Sequence, residues 1–165
     1  VLVCLIAAVY DWRSGKIPNW LTLPPLVIAP LSYGVVQGWS GLASSLLGLV
    51  LCGATPYLMY ARGGMGGGDV KLFATLGAIA GAKLGIEIEL LAFIVASIYA
   101  LGRLVWEGKM VRTLLNTFWL LANVFLPPPR RREIRPELMA TIRIGAAVLA
   151  AAILAVYLEY PMLWM

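Results

Sequence analysis

Histidine is absent from all 165 residues. That excludes Ser-His and Cys-His nucleophilic catalysis and the His-containing zinc-protease signature, and it leaves no imidazole for any metal site. Acid-base chemistry must then fall to carboxylates, Lys or Tyr. Aspartate is almost as scarce: of the eight acidic residues only Asp11 and Asp69 are aspartates. The two cysteines, Cys4 and Cys52, stand far apart within apolar stretches and form no paired-thiol motif, so they read as small buried hydrophobes. No metal and no cofactor is expected. Charge of either sign is also sparse, at 13% of residues.

What fills the chain instead is apolar. Hydrophobic residues make up 61% of it and the mean hydropathy is +0.87, well outside the range of soluble domains. The composition predicts one all-α domain over residues 1–165, a polytopic membrane bundle of about six transmembrane helices plus an interfacial helix. The formal charge of +5 could suggest nucleic acid in a soluble protein. Here the cations fall between apolar runs, where membrane topology explains them more simply, and no nucleic-acid role is assigned.

Val1 to Tyr10 is apolar but short of the roughly 20 residues that span a hydrocarbon core, so the first helix is expected to begin before Val1. The stretch from Asp11 to Asn19 reads as a polar turn ended by Pro18. Trp20 to about Val36 follows, kinked by Pro24, Pro25 and Pro30, and Gln37 to Ser40 forms the next turn. From Gly41 to Ala61 small residues recur (Gly41, Ser45, Gly48, Gly53 among them), the pattern that lets membrane helices approach closely. Arg62 through Asp69 reads as a glycine-rich loop, Val70 to about Ala82 as a fourth helix with its far end at Lys83, and Ile86 to Trp106 as a fifth. Val111 to Leu126 is short and reads as interfacial or re-entrant. The last helix is expected over Ala140 to Tyr160.

Charge asymmetry tests this count. With the first helix leaving into the cytoplasm, alternation gathers Arg13, Lys16, Arg62, Lys71, Arg103, Lys109, Arg112, the cluster from Arg130 to Arg135 and Arg143 on or near the cytoplasmic side. Lys83 alone lies opposite. Asp11 and Asp69 therefore belong to one membrane face, and Glu87 and Glu89 to the other.

Two carboxylates that share a proton can hydrolyse a peptide bond: the ionised one activates water while the protonated one donates to the scissile carbonyl oxygen. Gly66, Gly67 and Gly68 lack side chains and so let an extended substrate backbone come close beside Asp69. Lys71 adds a minor electrostatic contribution. Taken singly, Asp69 reads as a helix N-cap and the glycines as a flexible turn. No Gly-Lys-Ser/Thr follows, which argues against a phosphate nest. The conjunction favours chemistry, because the only two aspartates lie at one membrane face and no other catalytic set is available.

These residues resemble the type IV prepilin peptidases, membrane aspartyl proteases with a Gly-x-Gly-Asp motif, and most of all their short members that serve Flp-type (tight-adherence) pili. The resemblance rests on Asp11-Trp12-Arg13 with Ile17-Pro18-Asn19, on Gly64 through Leu72, and more weakly on Ile142 through Ala147. It implies catalysis by Asp11 and Asp69, substrate contact by Gly66, Gly67, Gly68 and Lys71, and a prepilin whose short basic leader is cut at the cytoplasmic face of the bacterial inner membrane. Membrane lipid is an implied partner, and the pilus assembly machinery a further one. Longer members also methylate the new pilin N-terminus through a cysteine-bearing region that has no counterpart here, so no methyltransferase activity is expected. Where members often show Pro-Tyr or Pro-Phe, Arg143-Ile144 stands.

Three other readings stay open. Presenilin-type intramembrane proteases share Gly-x-Gly-Asp and a Tyr-Asp pair resembling Tyr10-Asp11, but they are larger and place the aspartates in later helices. An archaeal preflagellin peptidase is chemically closer. A non-catalytic transporter or scaffold with a paired-acid proton site is the reading from a different class, and it wants its acids near the midplane between repeats rather than at one edge.

Overall fold

The computed structural model describes residues 1–108, 113, 115 and 144–159. Four helices make up the described residues: α1 (Leu2–Ser14), α2 (Asn19–Ala61), α3 (Gly67–Trp106) and α4 (Gly145–Glu159), with no strand among them. Both α2 and α3 are long and apolar enough to cross a membrane. The expected interfacial stretch from Val111 to Leu126 and the Pro127–Arg132 run lie outside the described residues, except that Thr113 and Leu115 are helical.

Each long helix is broken at one glycine and turns back on itself. In α2 the break is Gly38, at φ 66 and ψ −152, inside the turn expected from Gln37 to Ser40. A side chain added to Gly34 would meet Leu42 Cβ at 3.6 Å, a contact a straight helix excludes for residues eight apart, about 12 Å along its axis. In α3 the break is Gly81, at φ 78 and ψ 176, a few residues before the turn expected around Lys83. Only glycine takes these angles without strain, so the reversal falls there and Lys83 begins the return arm. Phe73 and Phe93 stack across this hairpin with ring centroids 5.5 Å apart.

The arms meet through small residues. Gly41, Ser45, Gly48, Cys52 and Pro56 form the buried stripe of α2. Backbone lies against backbone where Gly48 crosses Gly77: a Cβ on Gly48 would collide with the Gly77 carbonyl and come within 2.7 Å of the Gly81 carbonyl carbon. Side-chain hydroxyls then bridge the arms, Ser45 Oγ donating to the Ala78 carbonyl at 2.7 Å and Tyr33 Oη to that of Ile79 at 3.0 Å. In bilayers such bonds contribute about 0.6–2 kcal/mol each. Large apolar side chains such as Val27, Ile28, Leu31, Leu47 and Val50 face outward, which reverses the soluble pattern and suits a lipid surround.

The chain divides into two compact units. The larger takes Val1–Ala96 with the described part of Arg143–Met165, and its core joins Cys4 and Ala7 of α1, Leu72, Phe73 and Leu76 of α3, and Val148 and Ala151 of α4. The smaller takes Ser97–Ile142, in which α3 ends at Trp106 and is followed by Glu107, paired with Arg103 at 2.6 Å, and by Gly108 at φ 63.

Candidate active site

The buried face of α1 is Cys4, Ala7 and Asp11. Spacings of three and four put these on one stripe, so the carboxylate continues an apolar seam and is only 7% exposed. The expected polar turn from Asp11 onward is corrected here. Nothing between Asp11 and Ser14 breaks a helix, and α1 runs on until Gly15, whose left-handed φ of 63 lets its N–H close back on the Asp11 carbonyl at 2.9 Å. Asp11 is thus a helical residue held by packing.

Asp69 is likewise helical. The glycine run ends sooner than expected, since α3 starts at Gly67 and the Asp69 and Val70 N–H groups both donate to the Gly66 carbonyl, at 3.1 and 3.4 Å. Asp69 is the third residue of the helix rather than the residue preceding it. Its half-buried carboxylate reaches back to the Gly66 N–H, the way an acidic residue at that position satisfies an orphan donor. Upstream, Gly63 at φ 75 donates to the Tyr60 carbonyl at 2.9 Å and makes the turn from α2.

Ile17 brings the two motifs together. It is buried, and a side chain on Gly68 would meet its Cβ at 3.3 Å and its backbone nitrogen at 3.4 Å. One cavity of about 290 Å³ results. Asp11, Asp69, Gly66, Gly67, Gly68 and Lys71 all line it, and Gly15 to Ile17 complete its wall. Asp11 lies close enough for its charge to act on Asp69. The Lys71 ammonium donates to Asn19 Oδ1 at 2.8 Å, so its head is tethered at the start of α2. Lys71 also supplies the carbonyl that the Thr75 hydroxyl engages at 2.7 Å.

Two residues escaped the sequence reading. Gly145, the first residue of α4, donates its N–H to Asp11 Oδ2 at 2.9 Å; it lay inside the motif from Ile142 to Ala147, but nothing there singled out one residue. Glu89, expected at the membrane face opposite the aspartates, is buried and faces Cys52 and Thr55 rather than the cavity. Its position on the small-residue face of the returning arm, beside Gly85 and Ala92, was the available signal. Among the described residues no group of three or more His, Cys, Asp or Glu converges as a metal site. The chemistry the cavity offers is that of two carboxylates.

A prepilin leader peptidase/N-methyltransferase of Bacillus subtilis (strain 168) is 28% identical over 115 residues, covering 68% of this chain and 45% of that relative. The chain therefore matches less than half the length of this curated relative. No solved structure matches. The model of the type IV leader peptidase family matches residues 1–101. That stretch is more than half of the chain and contains both aspartates and the glycine run, and the chain belongs to the type IV leader peptidase family.

Proposed function

We propose that the chain is an integral membrane aspartyl endopeptidase that removes the basic leader of a Flp-type prepilin at the cytoplasmic face of the bacterial inner membrane. One observation carries the reading: the only two aspartates, from different helices, line one cavity beside three consecutive glycines. A water between them gives its proton to the ionised carboxylate and attacks the scissile carbonyl carbon. The protonated carboxylate donates to the carbonyl oxygen. Collapse of the tetrahedral intermediate breaks the C–N bond, and the amine leaves with the proton first taken from water. Gly66 to Gly68 give an extended substrate backbone room beside Asp69.

The six helical arms, α1, two from α2, two from α3 and α4, are read as six crossings. Along α4, from Gly145 on Asp11 to Glu159 on Lys83, the 15-residue helix rises about 21 Å, so Lys83 stands most of a bilayer away from the site. Arg13, Lys16, Arg62 and Lys71 cluster near the site end of the sequence segments, as the positive-inside rule asks of a cytoplasmic face. Lys16 and Lys71 on the cavity wall repel a basic leader, whose charges then lie out along anionic headgroups. Methyl transfer is not part of the proposal: Cys4 and Cys52 are free, buried and on separate helices.

The test is cleavage of a prepilin-like peptide in liposomes by wild type, Asp11→Asn and Asp69→Asn. Asn keeps the shape while removing ionisation and the acid proton. The reading expects cleavage by wild type and loss of it in both variants with folding intact. Substantial activity in either variant would sink the two-aspartate mechanism, and a wild type that cleaves no such peptide would sink the peptidase reading.

A further inference from the structure

Asp11 occupies an awkward place for a carboxylate. It stands in the last turn of α1, where the unpaired carbonyls put the negative end of the helix dipole. The N-terminus of α4 supplies the opposite pole. Gly145 N–H donates to Asp11 Oδ2 at 2.9 Å in a buried contact, and α4 is 15 residues long, enough for its free N–H groups to favour a neighbouring anion. Space makes a separate demand for glycine. A Cβ on Gly145 would lie 2.9 Å from both Asp11 Cβ and Oδ2 and 3.2 Å from Ala8 Cα. Those are crowded by a backbone and by the stem of a short side chain, so the carboxylate or the helix has to shift. Gly145 is not among the positive-φ glycines, and proximity alone requires it.

We infer that Gly145 is a positioning residue for the reaction: its N–H commits Asp11 Oδ2, leaving Oδ1 to address the water, and its missing side chain lets α4 come that close. The inference rests on the peptidase reading given above. It accounts for the last of the three sequence motifs, which the two-aspartate chemistry did not use. It also fits the small residues at the buried start of α4, Gly145, Ala147, Val148 and Ala151, since α4 approaches α1 closely at the level of Asp11.

Two replacements separate the N–H from the space. Glycolic acid in place of Gly145 turns the Ile144–Gly145 amide into an ester and removes the N–H without adding an atom. Gly145→Ala keeps the N–H and adds the Cβ. Both are expected to lower kcat about tenfold to a hundredfold, the weight of one hydrogen bond to a charged group, with KM within about twofold because the peptide is held elsewhere. Ala146→Val, on the exposed side of α4, is the control and keeps wild-type kcat. Thermal melting supplies a readout independent of cleavage: the loss of Tm caused by Gly145→Ala should shrink by at least about half in an Asp11→Gly background. Wild-type cleavage with kcat retained in the glycolic acid protein overturns the inference and leaves the peptidase standing. A Tm loss that is the same in both backgrounds also overturns it. Failure of the wild type to cleave overturns the peptidase reading and this inference with it.

Discussion

The glycines at the two ends of the α2–α3 contact do different jobs. In the packed interior, Gly48 and Gly77 touch through their backbones, and a Cβ on either has nowhere to go. At the cavity, a Cβ on Gly67 would meet only the Tyr60 ring, at 3.4 Å, and one on Gly66 the Asp69 carboxylate, at 3.2 Å. Packing therefore demands glycine in the first region and presses less hard in the second, where the tightest backbone approach is Gly68 to the Ile17 nitrogen at 3.4 Å. The acids divide along the same line. Glu89 is sealed among Cys52 and Thr55 with Oε1 unpartnered among the described residues, whereas Asp11 and Asp69 face one open volume. Glycines whose added Cβ would meet mainly side chains, next to acids that face space, distinguish the cavity from the helix contact, where the obstacle is backbone.

The strongest way to break this comparison is at the acids. Asp11→Asn and Asp69→Asn should each cut kcat/KM for a prepilin-like peptide by at least about a hundredfold, the scale of general acid–base contributions. Glu89→Gln, of the same shape, should stay within about threefold of wild type, because a sealed group contributes only through folding. A collapse of activity in Glu89→Gln with Tm unchanged would erase the distinction.

Glycine substitutions sharpen it further. Gly48→Ala should cost about 1–3 kcal/mol or more, as overpacking does, read as a fall in denaturation midpoint in detergent. Gly67→Ala should leave that midpoint within about 1 kcal/mol, since alanine is the better helix former, yet lower kcat/KM by narrowing the cavity. Equal stability losses in the two would show that the glycine run is structural after all. The smallest effect belongs to the end of α4 far from Asp11: Lys83→Ala, removing an exposed pair with Glu159 at 3.3 Å, should change stability by less than about 1 kcal/mol.

Much of this was legible residue by residue. Hydropathy marked the apolar arms, the turn at Gly38 fell inside the expected stretch, and the small-residue stripe of α2 is the buried one. The residues expected at the site, the two aspartates, Gly66 to Gly68 and Lys71, all line the cavity. Boundaries were less legible. Asp11 and Asp69 looked like turn residues because polar character coincided with the end of apolar runs, but helices continue or begin through polar residues until a glycine or proline stops them. The reversal near Lys83 was displaced to Gly81 for the same reason, since backbone freedom decides where a helix turns.

Composition and local pattern alone determined the class of molecule: apolar runs must pair their backbone groups as helices, and with no histidine the scarce aspartates were the natural acids for catalysis. Only the tertiary structure decided what each acid faces. Whether a carboxylate looks into a cavity, as Asp69 does, onto a helix N-terminus, as Asp11 does, or into a closed seam, as Glu89 does, depends on residues distant in the chain. Gly145 shows the reason most directly. Its importance lies in the 2.9 Å to Asp11, and no local preference of a glycine at the start of an apolar helix encodes the identity of the side chain packed against it.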